Sequence, residues 1–212
     1  MAAGPVFVAA FLLEGAVRDG YRPLRHPVSS LALGPGGWIQ TANFGLAGTL
    51  FLAGAAGLAR AGDRVASGRA APALIGAAGA GLIGSAMFTT DPVSGYPPGT
   101  PDALTLPSRA GTAHNLAAVP VFVGLAAAAL ACGWRAWRAG EHLFGLYSAG
   151  TAVAMLTTTA LAGAGFGQSL RLVNLGGLFQ RASIIAGFGW LTTLSAQALR
   201  RAPSTTARRH LA

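Results

Sequence analysis

The chain has 212 residues, 52% of them hydrophobic and only 10% charged, with a mean hydropathy of +0.52. A soluble domain carries about 25% charged residues, so these totals exclude an ordinary soluble globule, and the high apolar content excludes bulk disorder. The formal net charge of +9 comes from Arg alone, without a single Lys; no basic stripe with interleaved aromatics accompanies it, which argues against nucleic-acid binding and for the loop signal of a polytopic membrane protein.

Six apolar segments follow in order, each near the roughly 20 residues that a bilayer-crossing helix needs. The first, Ala2 to Val17, contains Glu14. It has neither a basic leading region nor a clear small-residue cleavage site, so it reads as a span and not a signal peptide. At about 1.5 Å per residue it reaches only about 24 Å of a roughly 30 Å core, so it tilts little or lacks an upstream turn. The second runs from Trp38 to Leu58 and the third from Ala71 to Phe88. The fourth runs from Ala110 to Trp134, the fifth from Leu143 to Ala164 and the sixth from Leu175 to Leu199.

Helices satisfy every backbone group in lipid, and the alternating ten-residue segments of a barrel are absent. The expected fold is therefore an all-α membrane protein, a compact bundle of six transmembrane helices forming one domain over residues 1–199. A basic, disordered cytoplasmic tail is expected over 200–212. Small residues at four-residue spacing, Gly76-Ala80-Gly84 and Ala77-Gly81-Ser85, predict that the second and third spans pack closely through these ridges. Pro120 predicts a kink in the fourth span. The lone Cys132 forms no internal disulfide and no Cys-based zinc site. Abundant Ala and Gly with an all-Arg basic set suggest a GC-rich bacterial genome.

Arginine sets the expected orientation. Arg60, Arg64, Arg69, Arg135, Arg138, Arg200, Arg201, Arg208 and Arg209 fall on the face that carries both termini. Arg18, Arg22, Arg25, Arg109, Arg171 and Arg181 fall on the other. The excess places both termini in the cytoplasm of a multi-pass cell-membrane protein. The connections on the opposite, outer face are longer and chemically richer.

Those outer connections carry a series of strings. The first is His26-Pro27-Val28-Ser29-Ser30-Leu31-Ala32-Leu33-Gly34, followed by Gly37-Trp38 and by Gln40, Asn43 and Phe44. Thr90-Asp91-Pro92 comes next, then Gly111 with His114, then Gly177-Leu178-Phe179-Gln180-Arg181. Their order and spacing resemble the prokaryotic membrane family catalogued as domain of unknown function 998, from about Glu14 to about Leu199. The resemblance implies six spans and supplies no activity or catalytic residues. The layout is also loosely similar to the eukaryotic Frag1/DRAM group of six-span proteins, one branch of which is tied to GPI-lipid remodelling.

Each candidate residue has a bland and a chemical reading. Asp91 is a turn cap before Pro92, or a general base or metal ligand at membrane depth. His26 is a loop histidine bonded to backbone, or a ligand. His114, one turn inside the fourth span, bonds a neighbouring helix or serves as an acid or base. His26, Asp91 and His114 together offer the donor types that a divalent metal such as zinc accepts. Ser29 (or Ser30) is a helix or turn cap, or a nucleophile served by His26 or His114. Arg181, with Gln180 beside it, is a structural ion pair with Asp91 or Glu14, or a clamp for a lipid phosphate. Glu14 is interfacial, and with Asn43 it joins the candidate substrate-binding set. The run Gly79 to Gly84 matches a dinucleotide pattern but lacks the preceding strand, so it is rejected.

Clustering these groups on one face favours a membrane-embedded enzyme acting on a lipid or isoprenoid-like substrate at the outer leaflet. A metal-assisted hydrolase is one form; a cyclase initiated by Glu14 or Asp91 is another. The alternatives are a small-molecule or lipid binding or transport protein, and a non-catalytic accessory subunit. The expected partner is membrane lipid. His26, Asp91, His114 and Arg181 are expected to converge in one pocket.

Overall fold

The computed structural model describes residues 2–60 and 68–201; Arg64 and the chain beyond Arg201, including most of the expected basic tail, lie outside the described residues. Among the described residues, six α-helices and a short 3-10 helix, Val28–Ala32, are formed: α1 Ala3–Val17, α2 Trp38–Arg60, α3 Ala70–Met87, α4 Arg109–Arg138, α5 His142–Phe166 and α6 Gly176–Arg201. The only strand-like pairing among the described residues is one isolated bridge, Val93 with Tyr96. Helices α2 to α6 are long and apolar enough to cross a membrane, whereas α1 is shorter, with 15 residues. At about 1.5 Å per residue α1 covers about 22 Å, less than the roughly 30 Å of a hydrocarbon core.

An aromatic spine holds α1, α2 and α6 together. Phe7 packs on Phe44 and Phe188 with ring centroids 5.7 and 5.0 Å apart, and Phe51 meets Phe188 at 4.8 Å. Trp190 is fully buried and donates its indole N–H to the Ser148 hydroxyl at 2.9 Å, so its one polar atom is satisfied within the core.

Small residues set the closest helix approaches, but not quite where the sequence ridges predict. The α2–α3 crossing is made by Gly48 and Gly79. A Cβ on Gly48 would lie 2.7 Å from the Gly79 carbonyl oxygen, and one on Gly79 would lie 2.9 Å from the Gly48 carbonyl oxygen. Gly81 faces α4 instead, where an added Cβ would sit 2.3 Å from the Ala117 carbonyl oxygen. Ala80 is exposed. The ridge picture therefore needs correcting: α3 is squeezed between α2 and α4, and successive small residues serve different neighbours, because a helix advances about 100° per residue.

At Pro120 the α4 helix passes through a short π-helical stretch, Pro120–Gly124. Proline has no N–H to give and crowds the preceding turn, so the expected disturbance falls where the ring sits. Beyond it, α4 packs on α5 through another close approach. A Cβ on Gly133 would lie 3.1 Å from the Gly145 carbonyl oxygen.

A substitution pair tests the crossing geometry. Gly79→Leu is expected to destabilise the protein by about 1–3 kcal/mol or more, because the added atoms have nowhere to go. Ala80→Leu, one residue away on the exposed side, is expected to be tolerated. Thermal unfolding in detergent reads both, and equal melting temperatures would contradict the assignment of Gly79 to the α2–α3 contact.

Candidate functional site

The loop-rich end of the bundle is built on the carbonyl groups of residues 23–26. This stretch lies across the start of α6, so close that a Cβ on Gly177 would fall 2.4 Å from the Pro23 oxygen and 2.5 Å from the His26 oxygen. Gly177 donates its N–H to the Arg25 carbonyl at 3.1 Å, and Leu178 donates to the Leu24 carbonyl at 2.9 Å. Two N–H groups that every helix start leaves over are thus used to hold the loop. One turn on, buried Arg181 donates to the carbonyls of Pro23, His26 and Gly177 and to the Tyr21 hydroxyl. Its guanidinium also lies 5.6 Å from the Phe11 ring centroid and 5.5 Å from that of Tyr21. Tyr21 donates its own O–H to the Pro27 carbonyl at 2.9 Å, and burial pushes the hydroxyl's pKa up to about 12.

Arg181 is therefore engaged with backbone and is not the expected partner of Asp91 or Glu14. An arginine buried against carbonyls and aromatic faces is stable because its planar fork reaches several acceptors at once. Two further arginines work the same way. Arg25 donates to the Ser94 carbonyl at 3.0 Å, the Asn174 side chain at 2.9 Å and the Asp102 carboxylate at 2.6 Å, joining three loops. Arg18 reaches the carbonyls of Leu31, Leu33 and Pro35 and pairs with Glu14, four residues earlier. Glu14 is thus tied to Arg18. Asn43 is buried and donates to the Phe7 carbonyl at 3.1 Å, fastening α2 to α1. Sequence reasoning missed the clamping roles of Arg18 and Arg25.

His26 sits in this clamp. It is 3% exposed, its Nδ1 accepts the Arg22 N–H at 2.9 Å, and it has a backbone hydrogen bond with Ser94. Its ring packs between those of Tyr21 and Tyr96, at 5.5 and 5.2 Å. Burial, and then the charge of Arg25, pull its pKa down from 6.5 to about 4.

Beneath the clamp lie two adjoining cavities. The inner one, about 190 Å³, reaches into the bundle between apolar walls that include Phe7, Phe44, Leu82, Phe122, Ile184 and Phe188. The outer one, about 380 Å³, is bounded by Thr90, Asp91 and Gln168 among others. Ser29, Asn115, Phe166 and Gln180 line both, so they form the neck between them. Gln180 is fixed there because its side-chain oxygen accepts the Val28 N–H at 2.7 Å.

Asp91 and His114 sit on either side of this neck. Asp91 accepts the Ser108 N–H at 2.9 Å, at the start of α4, where a helix N-terminus favours negative charge. Gly111 makes room for it: a Cβ there would overlap the Asp91 carboxylate. One turn further, His114 lines the inner cavity and its Nδ1 lies 2.9 Å from the Phe88 carbonyl oxygen. The ring also has a backbone hydrogen bond with Ser85, so the end of α3 holds the imidazole at two points.

The structure thus separates the predicted residues into two groups. Asp91, His114, Ser29 and Gln180 border the joined cavities. His26 and Arg181 belong to the clamp, Glu14 is engaged with Arg18, and Asn43 fastens α1 to α2. The convergence of all four of His26, Asp91, His114 and Arg181 does not occur, because Arg181 finds carbonyl acceptors closer at hand than Asp91. Among the described residues no three His, Cys, Asp or Glu side chains are grouped so as to hold a metal ion. Nor is Nδ1 of either histidine placed to take the Ser29 proton: that of His26 accepts the Arg22 N–H, and that of His114 lies against the Phe88 carbonyl.

An all-helical architecture in which five helices are long and apolar enough to cross a membrane marks the class of membrane proteins. Within that class the chain belongs to the family described as protein of unknown function DUF998, whose sequence profile matches residues 1–197. Searches of curated proteins and of solved structures give no match, so the looser Frag1/DRAM likeness gains no support from them.

The clamp has a pH dependence that follows from His26. Its proton is bound more tightly in the unfolded chain, near the ordinary 6.5, than in the folded one, at about 4. The stability it supports is therefore complete above about 6.5 and declines as pH falls towards 4. The melting temperature is expected to drop between about pH 7 and about pH 5, and His26→Gln is expected to flatten that slope. An unchanged slope in the variant would show that another group titrates.

Proposed function

We propose that this protein holds an amphipathic, lipid-like molecule at the loop-rich end of a six-span bundle. The apolar part occupies the inner cavity and the polar part lies at the neck and in the outer cavity. One observation carries this reading: an apolar chamber of about 190 Å³ opens through a neck of Ser29, Asn115, Gln180 and Phe166 into a more polar one. Dry apolar cavities of about 150 Å³ take a benzene ring, so the inner chamber suits the end of an acyl or isoprenoid chain. In this reading α1 completes the sixth span, both termini are cytoplasmic, and the cavities face the outer leaflet. Reporter fusions at Gly99 are expected to read outside and those at the C-terminus inside; an inside signal at Gly99 would reverse the orientation.

Chemistry on the bound molecule is a second reading, favoured by the position of His114 on the wall of the inner cavity, and by Asp91 across the neck. In that case His114 would act as base or acid and Asp91 would tune it. A divalent metal could be recruited by the same two groups only with further ligands from the bound molecule or water.

Mass spectrometry of the purified protein in its native state tests the binding. The wild type is expected to retain a lipid-like molecule, and Ala118→Phe, which fills the inner cavity, is expected to lose it. A wild type that carries nothing, even after incubation with membrane extract, would end the proposal. Comparing the molecules retained by wild type and His114→Gln separates the two readings: a difference in mass indicates conversion, and identical masses indicate binding alone.

A further inference from the structure

Resting on the lipid-binding reading above, we infer that the ligand is a bilayer lipid with an uncharged, hydroxyl-bearing head group, and that it reaches the cavity sideways through a gap between α4 and α5.

The gap comes from the way these two helices diverge. Beyond the π-helical stretch, towards Arg138, α4 lies against α5 at Gly133 and Gly145. On the loop-rich side of Pro120 the two part, and no Cα of residues 109–119 comes within 8 Å of any in α5. That half of α4 leans on α3 instead, drawn there by the Gly81–Ala117 approach. The inner cavity occupies the opening, since Asn115 and Ala118 of α4 and Thr159 and Gly163 of α5 all border it. Asn115 and Gly163 are both exposed on the bundle surface, and a Cβ added to Gly163 would meet nothing within 4 Å. On the flank of a bundle in a bilayer, such an opening faces lipid and not water. A hydrocarbon chain can pass through it without entering the aqueous phase.

The head-group chemistry follows from what borders the two cavities. Among the described residues no arginine borders either one, and the chain has no lysine. Arg181 is adjacent to Gln180 in sequence, but its two terminal nitrogens are bonded within the clamp and it borders neither cavity. The neck supplies Ser29, Asn115 and Gln180, which can both donate and accept. The one charged group is the Asp91 carboxylate. A phosphate placed there would lose water, find no cation and face a like charge, which is a strong element of rejection. An alcohol would find partners of either sense, and one of its hydroxyls could donate to Asp91.

Photolabelling in vesicles tests both parts of the inference. The probes are a diazirine-bearing monoacylglycerol and a lysophosphatidic acid with the same chain. The monoacylglycerol is expected to label residues bordering the inner cavity of the wild type, and the phosphate-bearing probe to label them roughly tenfold less or weaker still. Gly163→Phe, at a position with open space around it, is expected to cut the monoacylglycerol labelling by roughly the same factor while leaving the melting temperature unchanged. Asn115→Trp plugs the facing side of the gap and serves as the second variant if Gly163→Phe does not fold. Equal labelling by the two probes overturns the head-group assignment. Undiminished labelling in a folded plug variant overturns the sideways route. Failure of both probes to label the wild type cavity, by contrast, overturns the lipid-binding reading itself, so the outcomes are distinguishable.

Discussion

Irregular backbone at the end of a helical bundle must have its carbonyl groups satisfied, and here that requirement organises the rest of the structure. The carbonyls of residues 23–26 run into the first turn of α6 and meet two helix-start N–H groups and the guanidinium of Arg181. A buried carbonyl left without a donor costs about 1–3 kcal/mol, so each of these contacts matters. Because Gln180 is next to Arg181, the turn that clamps the loop also grips the Val28 N–H and positions Ser29 at the neck. The cavity lies beneath that clamp.

Much of the architecture was legible in the sequence, for a physical reason. Segments that face lipid can carry almost no charge, so the helices stand out, and five of the six are long and apolar enough to cross a membrane. The interior contacts were less legible. Small residues at four-residue spacing mark a face, but Gly79 and Gly81 show that a face rich in small residues has more than one neighbour, and pattern alone does not say which. The candidate site divided along similar lines. Asp91, His114, Ser29 and Gln180 border the joined cavities, whereas His26 and Arg181, expected beside them, belong to the clamp. The pairing of Arg181 with Asp91 rested on charge alone, and overlooked that three backbone carbonyls and a phenol can replace a carboxylate. For the same reason Arg18 and Arg25 read as loop charges, although both knit the cap together.

The Gly-x-x-His string acquires a mechanical meaning. Gly111 is the position at which a side chain would collide with the Asp91 carboxylate, so a glycine there lets α4 begin directly over an acidic residue. Three residues later His114 stands almost one turn further into the bundle, on the same side, where the end of α3 offers the Phe88 carbonyl. Spacing, glycine and the preceding Thr-Asp-Pro therefore belong to one device. It brings an acidic group and an imidazole to opposite sides of a narrow neck without a direct bond between them.

The clamp also dictates an order of events during synthesis. Residues 23–26 leave the ribosome long before α6 exists, yet the carbonyls of Pro23, Leu24 and Arg25 take their donors from its first turns. Until the sixth helix packs, water must serve these carbonyls in its place, and the loop keeps only its own bonds, such as those from Tyr21 to the His26 and Pro27 carbonyls. Completion of the last helix is thus the moment at which the clamp on the first loop closes. A chain interrupted before α6 carries its own mark of incompleteness at the opposite end of the sequence.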